Sequence, residues 1–81
     1  MPVILREKGY RFFFFSLEGR EPAHIHVEKG DSYAKFWLSP VSVARSRGFR
    51  SYELTELLKI VREHQQLFKE KWDEYFSRHT I

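Results

Sequence analysis

The amino-acid sequence predicts an α+β fold in which a small antiparallel β-sheet of three or four strands packs against one long C-terminal α-helix. Short aromatic or alternating segments, separated by Gly and Pro, fill the first half of the chain, which is typical of strands joined by turns. The second half has apolar residues at spacings of three and four, as in an amphipathic helix. Because a chain of 81 residues has the size of one small domain, we assign residues 1–81 to a single domain.

Three segments have the clearest strand pattern. Residues 10–16 contain a run of four phenylalanines, which has a strong β preference. Residues 24–28 and residues 33–38 each alternate polar and apolar side chains, and the turn between them has Gly30 available for a positive φ. Two shorter candidate strands and one loop complete the first part of the chain, at residues 3–5, 41–44 and 45–50.

The helix is predicted over residues 52–76, where no Pro or Gly occurs. Ser51 is a favourable N-cap residue, and acidic side chains follow it in or near the first turn. At 1.5 Å per residue such a helix is ~37 Å long, which exceeds the width of a sheet built from short strands. We therefore expect its last turns to project beyond the sheet and to offer Trp72, Tyr75 and Phe76 to a partner.

Composition excludes several classes of protein. The chain has no cysteine, which rules out a disulfide or a thiolate metal site. No apolar run approaches the ~20 residues of a membrane span, and residues 1–6 lack the features of a signal peptide. We therefore expect a cytoplasmic protein with no membrane partner.

Positive charge is concentrated in the first part of the chain. The formal net charge is +3, but residues 1–50 carry nine Lys or Arg against five Asp or Glu, whereas residues 51–81 carry five against six. A local excess of this size is compatible with an anionic partner, either nucleic acid or an acidic protein. Many domains without such a partner carry as much, so the charge alone does not decide.

The most distinctive chemistry lies at His24, His26 and Glu28. In a strand these three alternate residues share one face, with the two histidine Cβ atoms about 7 Å apart. Two imidazoles and a carboxylate are a plausible ligand set for a divalent metal such as Zn, Fe or Mn, with His24 and His26 as the main ligands. The histidines are equally suited to acid–base catalysis of phosphodiester cleavage. A third interpretation is the solvated face of an amphipathic strand, with a structural or partner-contact role.

A second group of residues suits nucleic acid. Arg45, Arg47 and Arg50 lie close together without an acidic neighbour, and arginines in such a cluster favour phosphate contacts. The alternative is a solvated loop, in which Phe49 packs as a hydrophobic staple at the start of the helix. Lys35 and Trp37 share one face of their strand and add a cation and a stacking ring. The nucleic-acid-binding candidates are therefore Lys35, Trp37, Arg45, Arg47 and Arg50.

An ordered series of sequence blocks covers nearly the whole chain. The blocks are residues 21–27, with Glu-Pro-Ala-His-Ile-His-Val; residues 34–38, with Ala-Lys-Phe-Trp-Leu; Ser46, Gly48 and Phe49; Glu53 and Leu54; and residues 72–76, with Trp-Asp-Glu-Tyr-Phe. Together they resemble the bacterial domain-of-unknown-function family numbered 4160. The commoner form of the first block has two prolines before the first histidine, and this chain has Ala23 at the second.

The resemblance implies a biological role rather than a reaction. Members are often encoded beside a small protein of another uncharacterised family, numbered 2442, and such pairs are suspected toxin–antitoxin modules. This family would be the toxin, acting on RNA or translation, with a small cognate antitoxin as its partner. In that role His24, His26 and Glu28 would supply a ribonuclease-like activity. The rival hypothesis is a non-catalytic module that binds protein or nucleic acid.

Overall fold

Five antiparallel strands form one sheet whose spatial order follows the chain, and two α-helices come after the last strand. The computed structural model describes residues 3–15 and 20–77. The elements are β1 (Val3–Glu7), β2 (Tyr10–Phe13), β3 (His24–Lys29), β4 (Ser32–Leu38), β5 (Val41–Arg47), α1 (Ser51–Glu63) and α2 (Gln65–Ser77). The α+β class and the antiparallel sheet are thus confirmed. The predicted number of elements was wrong, because the sheet has five strands rather than three or four, and two helices replace the single long one.

The fifth strand includes the candidate strand at residues 41–44 and continues through residues 45–47, which the sequence suggested were a loop. β5 pairs with β4 along its whole length, with Arg45 opposite Lys35 and Arg47 opposite Tyr33. A bulge between Lys35 and Phe36 adjusts the register. Polar side chains are compatible with a strand here because β5 lies at the edge of the sheet, where charged residues also discourage pairing with another chain.

The predicted helix is divided at His64. The backbone of this residue, at φ −110° and ψ 15°, departs from helical geometry. Its Nδ1–H donates to the Ile60 carbonyl oxygen (2.9 Å), and the next side chain, Gln65, donates through Nε2 to the Leu38 carbonyl oxygen (2.5 Å). One local and one tertiary hydrogen bond therefore accompany the division, which Pro and Gly do not mark. No described helix is both long enough and apolar enough to cross a membrane.

A turn at Gly48 carries the chain from β5 into α1. Gly48 has a φ of +88°, and a Cβ at this position would lie 2.8 Å from the Ser32 Oγ atom, so a glycine is required here. The cap residue of α1 is Arg50 rather than the predicted Ser51, and its backbone N–H donates to Glu53 Oε1 (2.9 Å). Phe49 packs on Tyr10, with the two ring centroids 5.9 Å apart. It therefore packs at the start of the helix, as predicted.

The hydrophobic core lies between one face of the sheet and the two helices. Phe12 of β2, for example, stacks on Phe68 of α2 with ring centroids 5.6 Å apart. The core residues of β2, β3 and β4 are alternate residues of each strand, as expected for one sheet face packed against helices. They are joined by the apolar stripe of each helix. The buried core residues are Tyr10, Phe12, Phe14, Ile25, Val27, Ala34, Phe36, Leu38, Leu57, Ile60, Val61, Phe68, Trp72 and Phe76.

The end of α2 packs against the sheet rather than projecting beyond it. Trp72 and Phe76 are buried, and both rings contact Phe14, which follows β2. Tyr75 is half-buried and also lies against Phe14, with the two ring centroids 6.2 Å apart. The predicted free aromatic end of the helix was therefore wrong, because the run of phenylalanines extends past β2 and covers it.

A partly buried hydrogen bond connects β2 to α1. The Tyr10 hydroxyl donates to Glu56 Oε1 (3.0 Å), and Lys8 forms an ion pair with Glu56 Oε2 at 3.5 Å. Burial raises the pKa of Tyr10 to about 12, and the adjacent Glu56 carboxylate contributes through its hydrogen bond and its negative charge. The neutral phenol is thus the form that the fold stabilises.

Replacing Tyr10 by Phe should reduce the loss of stability that the protein undergoes between pH 10 and pH 12. A raised pKa in the folded state stabilises the fold fully below the unfolded-state pKa of about 10, and this contribution disappears as the pH rises towards 12. At neutral pH, Tyr10→Phe should cost about 1 kcal/mol through the lost hydrogen bond. In urea titrations, the stability difference between the wild type and this variant should shrink between pH 10 and pH 12. A difference that stays constant over that range would contradict the linkage.

Candidate functional site

The sheet face opposite the helices, called here the outer face, brings together most of the residues singled out from the sequence. The register pairs His24 with Trp37, His26 with Lys35 and Glu28 with Tyr33. On the next strand, Lys35 and Tyr33 are opposite arginines. The outer face therefore combines imidazole, aromatic and cationic side chains in adjacent rows. It includes Phe13, His24, His26, Glu28, Tyr33, Lys35, Trp37, Arg45 and Arg47.

His24 is fully buried between two tryptophans. Its ring centroid lies 5.7 Å from that of Trp37 on the outer face and 4.8 Å from that of Trp72 on α2. The Nδ1–H donates to the carbonyl oxygen of Pro22 (2.8 Å). Because a carbonyl oxygen only accepts, Nδ1 carries a proton, and in the neutral ring Nε2 is then the acceptor nitrogen.

His26 is enclosed by aromatic rings. It stacks between Phe13 and Tyr33, with centroid distances of 5.6 and 5.8 Å and interplanar angles of 24° and 25°. The ring of Phe15 lies closer still, with its centroid 4.4 Å from that of His26. The Nδ1 atom forms a hydrogen bond with the Tyr33 hydroxyl (2.8 Å). Only 2% of His26 is exposed, so the interpretation of these histidines as a solvated strand face was wrong.

The two histidines are neighbours, but Glu28 does not join them in one cluster. Their ring centroids are 5.0 Å apart and the rings are perpendicular. Glu28 instead forms an ion pair with Arg11 on β2. In residues 3–15 and 20–77, no group of three His, Asp or Glu side chains is placed to hold a metal ion. A divalent metal held by His24 and His26 would need further ligands, and the catalytic role of the three residues stays a prediction.

The cations of the outer face differ in their partners. Lys35 Nζ lies 4.7 Å from the centroid of the Trp37 ring and forms an ion pair with Glu21 Oε1 at 2.6 Å. Arg45 and Arg47 are exposed and form no ion pair with any residue that the structure describes. Arg50 lies beyond β5 at the cap of α1. Phe49, which packs into the core, separates it from the outer face.

An open cavity of about 510 Å³ lies on the outer face beside β5. Two aromatic rings, two guanidinium groups and one carboxylate contribute to its walls. We call it the outer-face cavity. Its lining residues are Phe15, Glu28, Tyr33, Arg45, Ser46 and Arg47.

Phe15 and Arg11 are parts of this site that the motifs did not indicate. Phe15 is 40% exposed and lines the cavity, whereas Arg11 holds Glu28 in place. Strand alternation contained the signal. In a strand, Phe13 and Phe15 face opposite to Phe12 and Phe14, so the run of phenylalanines serves both faces of the sheet.

Comparison with protein families matches residues 9–73 to a model described as "Domain of unknown function (DUF4160)". The chain belongs to this family. The DUF4160 match includes every residue of the outer-face cavity, together with His24 and His26. No curated protein and no solved structure gives a significant match. Membership in DUF4160 assigns no activity, so function must be argued from the geometry of the outer face.

Replacing His26 by Ala should destabilise the fold by about 2–4 kcal/mol. The change leaves a cavity among three aromatic rings and removes the hydrogen-bond partner of Tyr33. Urea denaturation followed by circular dichroism measures the effect. Tyr52→Ala is the control because Tyr52 is 70% exposed, and it should change the stability by less than about 0.5 kcal/mol. Equal stability of His26→Ala and the wild type would contradict the structural role of this imidazole.

Proposed function

We propose that this protein binds single-stranded RNA in the cytoplasm through the outer face of its sheet, as a non-catalytic binding module. One observation carries the proposal. Arg45 and Arg47 are exposed, without an ion-pair partner among residues 3–15 and 20–77. They lie beside the aromatic side chains of the same face.

The two arginines are suited to bind phosphates. They are alternate residues of β5, so their side chains leave the same face about 7 Å apart. Guanidinium groups bind phosphate oxygens in a planar, two-pronged manner. Because Lys35 already contacts Glu21 and Trp37, an anion gains less from it. Arg45 and Arg47 are therefore the main phosphate contacts in this proposal.

The rings on the outer face favour unpaired bases. Tyr33 and Trp37 are half-buried, and Phe15 is exposed, so each presents part of a ring to solvent. Bases of a single strand are free to stack on such rings, which contributes about 1–3 kcal/mol per base. Sheets that carry aromatic rings between cations bind single-stranded RNA in this way. A duplex would present only its phosphates to the same rings.

Replacing Arg45 and Arg47 together by Ala should weaken RNA binding at least tenfold. Each lost phosphate contact lowers the salt dependence of binding to a single strand by about 0.7, so the slope of log K against log salt should decrease by about 1.4. Fluorescence anisotropy with a labelled mixed-sequence RNA oligonucleotide, repeated at several salt concentrations, measures both quantities.

The matched control is Lys59→Ala with Arg62→Ala. Both residues are exposed on α1, and the double replacement lowers the formal net charge of +3 by the same two units. This control should change RNA affinity less than twofold. If the two double variants lose affinity equally, net charge explains the binding and the outer face is not the site. If wild-type protein binds no RNA, the proposal fails.

A second candidate is the toxin role, in which the protein acts on RNA or translation and is neutralised by a small cognate antitoxin. The hydrogen bond between His26 Nδ1 and the Tyr33 hydroxyl favours it, because Tyr33 also lines the outer-face cavity. RNA bound there would be one hydrogen bond away from the histidine pair. In this hypothesis His24 and His26 supply acid–base catalysis, with Glu28 assisting.

Induced expression of the chain should arrest growth if the toxin role holds, and His26→Asn should abolish the arrest. The Asn side chain keeps a hydrogen-bonding group near the Nδ1 position but removes the imidazole and, with it, the proposed acid–base group. Growth curves and RNA integrity after induction measure the effect. Phe68→Leu is the control, because it destabilises the core on the opposite side of the sheet. Arrest that persists in His26→Asn, or is lost equally in both variants, would remove the histidines from the mechanism.

A further inference from the structure

The structure assigns a base preference to the outer-face cavity: we infer that it binds guanine in single-stranded RNA, with Glu28 as the group that reads the base. The inference rests on the proposed RNA binding and extends it from affinity to specificity. It depends on three features of the cavity, namely its rings, its carboxylate and its two arginines.

The rings provide a surface for a base. Phe15 is 40% exposed, and Tyr33 is held in place by its stack on His26 and its hydrogen bond to that ring. Both side chains line the cavity. Since every base has a π-face, this part of the cavity binds any base and contributes no selectivity.

The Glu28 carboxylate supplies the selectivity. It is the acidic residue among the six that line the cavity, and Arg11 fixes its position through Oε1. Each carboxylate oxygen has further acceptor capacity, since an ionised carboxylate offers about four lone-pair sites. Glu28 can therefore keep its ion pair with Arg11 and still accept hydrogen bonds from a ligand in the cavity.

Guanine is the base whose Watson–Crick edge fits a carboxylate. It presents two adjacent donors, N1–H and the N2 amino group, which match the two oxygens in the paired geometry that carboxylates favour. Adenine and cytosine each present one amino donor beside a ring nitrogen that accepts. Uracil presents one N–H between two carbonyl oxygens. In these three bases an acceptor faces the carboxylate and opposes binding.

The arginines complete the site for a nucleotide rather than for a neutral heterocycle. Arg45 and Arg47 line the same cavity as Glu28, so the cavity has two cations and one anion. A guanine nucleotide has the complementary arrangement, with hydrogen-bond donors on the base and negative charge on the phosphate. A free carboxylate or a sulfate would meet the arginines but leave the rings and Glu28 unused.

The test compares four labelled oligouridines that differ at one central position, which is guanine, adenine, cytosine or uracil. Wild-type protein should bind the guanine oligonucleotide about tenfold more tightly than the other three, as measured by fluorescence anisotropy. Glu28→Gln should abolish that preference by weakening the guanine complex about tenfold, with less than a twofold change for the others. Circular dichroism and urea denaturation verify that the variant is folded, and Glu28→Asp, which keeps the charge on a shorter side chain, should retain a reduced preference.

Glu21→Gln is the matched control. Glu21 is also a carboxylate near the outer face and also forms an ion pair, with Lys35, but it does not line the cavity. Its replacement removes the same charge and should leave the guanine preference intact. Equal affinity of the wild type for all four oligonucleotides, or loss of the preference in Glu21→Gln, would overturn the guanine inference while RNA binding stood. Absence of binding to every oligonucleotide would overturn both proposals.

Discussion

The burial of β3 on both faces constrains the rest of the structure. This strand lies in the middle of the five-stranded sheet, and its inner side chains, Ile25 and Val27, pack in the core against the helices. Its outer side chains, His24 and His26, are equally buried, although both described helices pack on the inner face. On the outer face, aromatic side chains from β4, from β2 and from the segment after β2 cover these imidazoles, and Trp72 of α2 also contacts His24.

This arrangement explains why the chain is so rich in aromatic residues. A chain segment of 81 residues has little surface to bury, and large rings bury the most apolar area per residue. Hydrogen bonds at Nδ1, to the Pro22 carbonyl for His24 and with the Tyr33 hydroxyl for His26, offset part of the cost of burying the two imidazoles. The cover is incomplete towards β5, where Phe15 is exposed and Tyr33 is half-buried. The rings that cover the histidines therefore also form the accessible part of the site.

Local patterns in the sequence were sufficient for some parts of the fold and not for others. Strand alternation predicted β3 and β4. Gly30 has a positive φ, as predicted, and its value is +58°. The same alternation placed His24 and His26 on one face but did not indicate their burial, because the residues that cover them are distant in the chain. The division of the helix at His64 was missed for a similar reason, since its hydrogen bonds include one from Gln65 to β4. Residues that act through long-range contacts leave no periodic signal.

The sequence proposed members of the candidate site but not their arrangement. The sequence proposed Lys35, Trp37, Arg45 and Arg47 as nucleic-acid contacts, which stays a prediction. The register of β4 and β5 places the two arginines on the face that Lys35 and Trp37 share. Arg50 looked equivalent to the other arginines because it is close to them in the chain. The turn at Gly48 separates it from them by carrying the backbone out of the sheet.

Tyr33 connects the two functions considered for this protein. Its ring lines the outer-face cavity, and its hydroxyl holds the buried Nδ1 of His26. A substitution at His26 therefore changes the position of a cavity residue even if the imidazole takes no part in a reaction. Conversely, a ligand that stacks on Tyr33 meets a ring whose orientation the histidine fixes. Loss of activity in a histidine variant thus has a binding explanation as well as a catalytic one, and measurements of RNA affinity separate the two because acid–base catalysis contributes to turnover rather than to ground-state binding.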